Sequence, residues 1–297
     1  MSARLHTNRS TMRTGFVTLV AIALLASSAA AQEDSLHSTQ LKAGREAGVL
    51  RVCADPDNLP ASNQAGEGYE IKIAELIAQT WGWRVEYAWW PVRRGFFSRA
   101  LNGRYCDVAI TAPSGLDIAG VTGPYFRSGY YIVYRKDSGL NLSSLADTTF
   151  RRLRIGVHIL NSDAENTPPA MAMSTYGSVG NLVGFPTNYS DMYRPDDIFK
   201  ALGNTIDVAI VWGPIAGYFV QQSKVPLVMN KVAEDTVQGI PFVYSMGMGV
   251  RRRDTKFRDS LQAVIDAKGG DMVKILQSFN VPMLPLPAGG QPPAKTN

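Results

Sequence analysis

The sequence predicts an α/β protein of two lobes, each a mainly parallel sheet flanked by helices, joined by two hinge strands. Three observations predict it. Strand-like and helix-like segments alternate from Val49 to Tyr134, a second alternating unit follows, and a strand-like segment at 241–250 then returns to the first unit. Alternating strands and helices favour parallel pairing, and ligands then bind at the carboxyl ends of the strands.

The first unit is predicted to contain three strands separated by two helices. The strands are VLRVCAD, WRVEYAWW and CDVAIT, and the helices are expected at 68–82 and 94–102. In the first helix Ile73, Leu76, Ile77 and Trp81 recur on one face, as in a helix that packs on a sheet.

The second unit alternates in the same way. Its strands are expected at 153–157, 179–184, 207–211 and 225–229, its helices at 169–176, 195–202 and 214–222, and two further helices at 254–267 and 270–279 follow the return strand. We therefore expect lobe 1 to comprise residues 48–135 and 240–281, with lobe 2, residues 136–239, inserted into it. The cleft between the lobes is the expected binding site.

Both ends of the chain are expected to lie outside this fold. Three arginines precede the apolar run GFVTLVAIALLASSAA, and an A-x-A ending precedes Gln32, which is the pattern of a secretory signal peptide over residues 1–31. The apolar run is short for a membrane anchor and rich in small side chains. We therefore expect export to the periplasm without membrane insertion. The alternative is that the segment stays uncleaved and anchors the protein. Residues 32–47 form a leader, and the Pro/Gly-rich residues 282–297 a disordered tail.

Charge and cysteine content narrow the function classes. Removing residues 1–31 takes away three arginines and no acidic residue, so the formal net charge falls from +5 to +2. No run of basic residues interleaved with aromatics remains, which argues against nucleic acid as a partner. Export favours a disulfide between Cys53 and Cys106, although an ideal parallel register could hold their Cα atoms beyond the limit of roughly 7 Å. Two cysteines without a nearby histidine argue against a zinc site.

Several segments resemble known proteins. GYEIKIAELIAQTWGWRVEYAWW, ALNGRYCDVAI, GPYFRSGYYIVYRK and GMGVRRRD are similar to the family 3 extracellular solute-binding proteins of polar-amino-acid ABC importers, over roughly residues 48–281. This resemblance implies the type II periplasmic-binding-protein fold. RVCADPDNLPASN, YAWWPVRRGFF and IPFVYSMGMGV more narrowly resemble the binding-protein-like component encoded with quinoprotein methanol dehydrogenases, the MoxJ/XoxJ type. That resemblance implies a periplasmic accessory protein that assists maturation or activation of a PQQ-dependent methanol dehydrogenase, with or without its cytochrome c.

Two charged anchors of the amino-acid-binding relatives are missing. The resemblance implies an arginine after the third strand for the ligand carboxylate, but APSGLDIAGVTG contains none. It also implies an aspartate for the ligand ammonium, where Trp212 and Gly213 stand instead. A zwitterion buried without these anchors would bear an uncompensated desolvation cost. We therefore expect a segment of the dehydrogenase in the cleft. The alternative is a receptor that delivers a non-amino-acid solute to an ABC importer.

The candidate residues of the cleft and partner surface combine hydrogen-bonding, cationic and aromatic side chains. They are Asp55, Asn58, Asn63, Arg93, Arg94, Phe96, Ser114, Tyr125, Arg127, Ser128, His158 and Trp212. Competing structural interpretations exist for several of them. Asp55 and the two asparagines are typical of turns in which side chains bond their own backbone. Arg93 and Arg94 could point to solvent, and His158, near Asn161 and Asp163, could be a hydrogen-bonded loop residue.

No motif supports catalysis. The sequence lacks G-x-S-x-G, H-E-x-x-H and a glycine-rich phosphate loop, and only His158 lies in the predicted folded region. Glu67 and Glu70 are placed where a general acid could act, but a glutamate at a helix start is also a favourable contact with the helix dipole. The sequence predicts a non-catalytic protein without cofactor or metal.

Overall fold

The structure is a computed structural model that describes residues 45–92, 95–159, 167–187 and 193–287. Its strands are β1 (Val49–Ala54), β2 (Asp57–Asn58), β3 (Ser62–Asn63), β4 (Arg84–Trp89), β5 (Val108–Pro113), β6 (Ala119–Val121), β7 (Phe126–Arg135), β8 (Ile155–Ile159), β9 (Leu182–Pro186), β10 (Val208–Trp212), β11 (Leu227–Lys231), β12 (Thr236–Val237), β13 (Ile240–Pro241) and β14 (Val243–Arg251). Its α-helices are α1 (Tyr69–Trp81), α2 (Pro168–Thr175), α3 (Asp197–Lys200), α4 (Gly213–Gln222) and α5 (Thr255–Ser278). The predicted signal peptide lies outside the described residues.

The strands pair along one path in the order β4-β1-β5-β14-β7-β10-β8-β9, with β6 added to β14 and β11 to β7. β1 pairs in parallel with β4 and β5, and β8 with β9 and β10. We define lobe 1 as β4-β1-β5 with α1 and α5, and lobe 2 as β10-β8-β9 and β11 with α2, α3 and α4. Two lobes with parallel central strands are the fold that the alternation predicts. The antiparallel β7 and β14 between them are the crossing strands.

β7 contributes to the sheets of both lobes. Its residues Phe126–Gly129 pair with β14, whereas Tyr130 and the residues after it pair with β10 and β11. β14 continues into lobe 1, where it pairs with β5 and β6. The chain therefore enters the sheet of lobe 2 at Tyr130, before the predicted boundary at 135.

Apolar side chains are buried on both faces of each lobe's sheet. In lobe 1 the helices α1 and α5 cover one face, and their buried side chains include Ile73, Ile77, Leu261, Val264 and Leu276. Leu76 and Trp81, predicted on the same face of α1, are partly buried against this core. Among the described residues, no helix is both long and apolar enough to cross a membrane.

Cys53 and Cys106 form a disulfide with a Cα–Cα distance of 5.2 Å. Cys106 lies just before β5, where the backbone N–H of Asp107 donates to the carbonyl of Arg51 at 2.8 Å and draws this segment against β1. The Asp107 side chain is buried and accepts hydrogen bonds from Arg51 (2.8 and 3.1 Å) and Arg251 (2.6 Å). Burial alone would raise the pKa of Asp107, but the two arginines outweigh burial and hold this pKa below its ordinary value.

Four predicted helices, at 94–102, 195–202, 254–267 and 270–279, differ from the structure. The helix at 195–202 is shortened to Asp197–Lys200. The predicted division of the last helical region is wrong, because α5 continues without a break through Gly269 and Gly270. Leu261 and Leu276, on either side of the glycines, pack into the same core, and this common burial outweighs the cost of two glycines. The predicted helix at 94–102 is reduced to a π-helical turn at Phe97–Leu101.

The prediction of a disordered tail is wrong for residues 282–287, which pack against the crossing strand β7. The carbonyl of Pro282 accepts a hydrogen bond from the Ser128 hydroxyl at 2.7 Å, and the Leu284 N–H donates to the carbonyl of Arg127 at 2.8 Å. These backbone groups find partners because the segment runs alongside β7, which composition alone does not indicate. Residues 288–297 lie outside the described part of the chain.

Candidate functional site

Two adjoining cavities lie between the lobes, and we call them together the cleft. The inner cavity, of about 240 Å³, is lined mainly by lobe 1, and the outer cavity, of about 310 Å³, by both lobes and the crossing strands. The residues common to both cavities are Asn58, Val92, Pro113, Trp212, Ile215 and Met246. Because the cavities share these residues, they adjoin each other.

The wall of the outer cavity carries three aromatic rings from three strands. Trp212, at the end of β10, meets the edge of Tyr130 on β7 at 5.5 Å and of Tyr244 on β14 at 5.7 Å between ring centroids. Burial raises the pKa of Tyr244 to about 12 and raises that of Tyr130 as well, so both phenols stay neutral. Trp212 therefore belongs to an apolar wall, at the position where the resemblance to amino-acid-binding proteins implies an aspartate.

His158 also faces the outer cavity, but it lies within β8 rather than in the loop that the sequence predicts. Its side chain is buried, and burial lowers its pKa to about 4, so that the imidazole is neutral at pH 7. Its carbonyl accepts a hydrogen bond from the Thr167 hydroxyl at 2.6 Å. Asn161 and Asp163 lie outside the described residues.

Glu70 is the single carboxylic acid among the described residues that line the inner cavity, and these residues include no histidine, lysine or arginine. It occupies the first turn of α1, whose start is fixed by hydrogen bonds from Tyr69 N–H to Pro60 (2.9 Å) and from Glu70 N–H to Ala61 (3.0 Å). Gly68 permits this contact, because its φ is 117° and a Cβ there would overlap the carbonyl of Ala61.

The electrostatic environment of Glu70 favours its protonated form. Burial is the largest effect and raises the pKa of Glu70 to about 7, against a hydrogen bond with Thr111 that lowers it, while the charge of Asp55 adds to the rise. The Tyr125 hydroxyl lies behind this wall, 3.4 Å from the Thr111 hydroxyl, and donates to the Ile110 carbonyl at 3.1 Å. Tyr125 thus supports the cavity wall without lining the cavity.

The three candidates of the first loop have different environments. Asn58 lines both cavities. Asp55 is buried, and its carboxylate accepts hydrogen bonds from the N–H groups of Asp57 (2.9 Å) and Val92. Asn63 bonds Glu67 at the surface, with distances of 2.7 and 2.9 Å, so it is not a cleft residue. For Asp55 and Asn63 the structure favours the turn interpretation, because their side chains accept hydrogen bonds from backbone N–H groups two and four residues further along the chain.

Of the remaining candidates, Phe96 is buried and lines the inner cavity. Arg127 and Ser128 are not cavity residues: Ser128 is buried against Pro282, and Arg127 contacts the Pro285 carbonyl (3.4 Å) and Asp235 (3.6 Å). Both residues lie on β7, after the PYF segment. Their side chains donate to backbone carbonyls of Pro282 and Pro285, which follow α5.

Ser114 lies beside the cleft without lining it. Its N–H donates to the carbonyl of Ser245 at 2.8 Å. Its hydroxyl is buried and has no hydrogen-bond partner within the described ranges. Arg93 and Arg94 lie outside these ranges, between Val92 and Gly95.

Several cavity residues were not predicted from the sequence. They are Thr111, Tyr130, Ile215, Tyr244 and Met246. Thr111 stands near the carboxyl end of β5, a position that could have marked it as a candidate. The others are apolar or aromatic, and the sequence pattern does not distinguish them from core residues.

Two α/β lobes, connected by crossing strands and enclosing a cleft, define a periplasmic binding protein of type II. Among solved structures, the chain is similar to the periplasmic binding protein XoxJ from Methylobacterium extorquens AM1, with 30% identity and a TM-score of 0.65 over 80% of this chain and 99% of that one. MxaJ from Methlophaga aminisulfidivorans MPT shares the fold, with 23% identity and a TM-score of 0.67 over 79% of this chain and 100% of that one. Protein MoxJ of Methylorubrum extorquens is 28% identical over 284 residues, 90% of this chain and 93% of that protein.

The chain belongs to the MoxJ/XoxJ family of periplasmic binding proteins, which is related to the family 3 solute-binding proteins. An ancestral cationic amino acid solute-binding protein has the same fold at 18% identity, with a TM-score of 0.61 over 82% of this chain and 99% of that one. The comparison with models of known protein families finds no match.

Proposed function

We propose that this protein is a non-catalytic accessory protein of a PQQ-dependent methanol dehydrogenase, and that its cleft holds a segment of that enzyme during maturation or activation. The observation that carries the proposal is the lining of the cleft. The described side chains around both cavities are mainly apolar and aromatic, and they include no arginine, lysine or aspartate.

This lining suits a peptide segment better than a free amino acid. A zwitterion would bring a carboxylate into the cleft without a described cation to receive it, and burying an unpaired charge is costly. A peptide segment carries no charged termini, and its amides could bond polar groups such as Asn58, Thr167 and Thr187 in the cavity walls.

The mouth of the cleft extends this apolar surface. Val92 lines both cavities and remains 41% exposed. It also borders a groove of about 560 Å³ on lobe 1, together with Phe96, Phe97 and Ile118. Ile118 is 38% exposed. Exposed apolar side chains that adjoin a cleft are typical of surfaces that contact another protein.

The location and the absence of catalysis are parts of the same proposal. We infer that residues 1–31 are a signal peptide and that the mature chain works in the periplasm. The periplasmic binding protein XoxJ as a relative and the Cys53–Cys106 disulfide both support this inference. His158 has a pKa of about 4, which is poorly matched to general base chemistry at neutral pH.

Binding of the mature protein to purified methanol dehydrogenase tests the proposal. We expect a complex at micromolar concentration in size-exclusion chromatography and calorimetry. Val92→Asp places a charge at the apolar cleft mouth and should weaken the complex at least tenfold, or about 1.4 kcal/mol. Val179→Asp is the matched control, because Val179 is 56% exposed and lines neither cavity.

Two outcomes would contradict the proposal. One is the absence of a complex at micromolar concentration. The other is a defined small solute that raises the melting temperature by several degrees while the dehydrogenase does not bind, which would instead favour a solute receptor.

A further inference from the structure

The inner cavity is small for a ligand pocket. Its volume of about 240 Å³ is below the range of about 300–1,000 Å³ that is usual for ligand pockets. It adjoins the larger outer cavity along Trp212, Ile215 and Met246, which line both. A segment that lies in the outer cavity can therefore extend one side chain into the inner one.

The inner cavity is apolar along its sides and polar at one place. Phe96, Phe97, Ile215 and Met246 provide surface that suits a chain of methylene groups. Glu70 and Thr111 provide a carboxylate and a hydroxyl there. This arrangement matches an occupant with an apolar stem and a hydrogen-bond donor at its end.

The charge of the occupant follows from Glu70. Within the described part of the chain no lysine or arginine pairs with Glu70, whereas other acids, such as Glu75 with Lys72 at 3.0 Å, have basic partners. An ionised carboxylate in an apolar cavity is costly unless a cation compensates it. A cationic occupant would supply that compensation.

We propose, resting on the proposed function, that the inner cavity receives a lysine side chain of the dehydrogenase segment and that Glu70 accepts its ammonium group. An ammonium is a compact charge with three donors, and the side-chain acceptors of the residues that line this cavity include the Glu70 carboxylate, the Thr111 hydroxyl and the Asn58 amide oxygen. Glu70 thus selects the residue that the cleft admits.

Proton linkage gives a further signature of this contact. Burial raises the pKa of Glu70 to about 7, so Glu70 is protonated at lower pH. The carboxyl group must then lose its proton before it can pair with the lysine ammonium group. Of the titratable groups around it, Tyr69 and Tyr125 have raised pKa values and stay neutral, and Asp55 lies in its buried turn. Across the outer cavity, His158, Tyr130 and Tyr244 are neutral near pH 7. Lysine affinity should therefore rise with pH up to about 7 and then level off.

The test uses blocked amino acids as probes on the whole mature protein. Nα-acetyl-lysine N-methylamide is compared with its norleucine equivalent, which keeps the apolar stem and lacks the ammonium. We expect the lysine probe to bind at least tenfold more tightly by NMR titration, and Glu70→Gln to abolish that preference and its pH dependence. Glu75→Gln, an exposed substitution on the same helix, should retain both.

The other outcomes overturn the proposal in distinguishable ways. Equal binding of the two probes, or an unchanged preference in Glu70→Gln, excludes the ammonium contact. Tighter binding of the arginine equivalent excludes lysine as the occupant, and n-butylamine binding as tightly as the lysine probe points to a free amine solute. A dehydrogenase complex of unchanged affinity with Glu70→Gln overturns the lysine pocket alone, whereas absence of a complex with the parent protein overturns the proposed function.

Discussion

Glu70 and His158 should contribute to stability with opposite dependence on pH, because each is held in its neutral form in the wall of the cleft. The pKa of Glu70 is about 7 in the folded protein against an ordinary value of 4.5, and that of His158 is about 4 against 6.5. Both shifts arise mainly from burial, so each group costs free energy when its charged form is the one that the unfolded chain prefers.

The signs follow from proton binding. Between pH 4.5 and 7, the unfolded chain releases the Glu70 proton that the folded protein keeps, so the free energy of unfolding falls as pH rises. Between pH 4 and 6.5, the unfolded chain binds a proton on His158 that the folded protein does not bind, so the free energy of unfolding rises with pH. The Glu70 contribution is complete below pH 4.5, and the His158 contribution is complete above pH 6.5.

The magnitudes are similar. Each pKa differs by about 2.5 pH units between the folded and unfolded states, and at 1.36 kcal/mol per unit each contribution reaches at most about 3.4 kcal/mol. The partial exposure of Glu70 reduces its share. In the parent protein the two slopes oppose each other between pH 4.5 and 6.5. The described acids with lowered pKa values, such as Asp107, act mainly below this window.

Urea unfolding from pH 4.5 to 6.5 measures these slopes. In Glu70→Gln the free energy of unfolding should rise by about 1 kcal/mol per pH unit, since only the His158 slope remains. In His158→Gln it should fall with pH. The parent protein and the Glu75→Gln control should lie between them. Parallel profiles for the parent and Glu70→Gln would refute the reasoning, even if His158→Gln fails to fold.

Two further predictions concern the framework of the fold. Replacing Cys53 and Cys106 together by alanine frees a loop with a sequence separation of 53 residues, and loop entropy predicts a loss of about 4 kcal/mol in urea unfolding; an unchanged urea midpoint would contradict it. Gly217→Ala would place a methyl group against the carbonyl oxygen of Asn280 and should destabilise the fold by about 1–3 kcal/mol. Gly270→Ala, in open space, should stabilise it by up to about 1 kcal/mol. Thermal shifts of the same sign for both glycine variants would argue against this contact.

The alternation of strands and helices predicts the fold because it reflects local periodicity. The apolar spacing in α1 and the position of the strand after Asp207 depend on nearby residues only. The continuity of α5 through Gly269 and Gly270 depends on a core that residues far apart in the sequence complete. For the same reason, the packing of residues 282–287 on β7 could not be predicted from composition.

The sequence predicts those cleft residues that lie near the carboxyl ends of strands. Asn58, Phe96, His158 and Trp212 line the cleft, and each lies near the carboxyl end of a strand or in the loop after it. Arg127 bonds a neighbour that sequence spacing does not reveal. Glu70 was interpreted as a helix-dipole contact, because the sequence shows its place on the helix but not the cavity that it faces.

The type of interaction that the cleft walls can make indicates which kind of ligand they can bind. An ion pair gives its energy at one point and serves a small zwitterion well, whereas apolar contact grows with the area covered. In this cleft Trp212, Tyr130 and Tyr244 provide an aromatic surface for apolar contact. Glu70 provides one carboxyl group, whose raised pKa favours the protonated form when no cation is bound. A small polar solute covers little of the aromatic wall, but a segment of another protein can cover it and still direct one cationic side chain to Glu70. The walls therefore support the proposed macromolecular partner over a free metabolite.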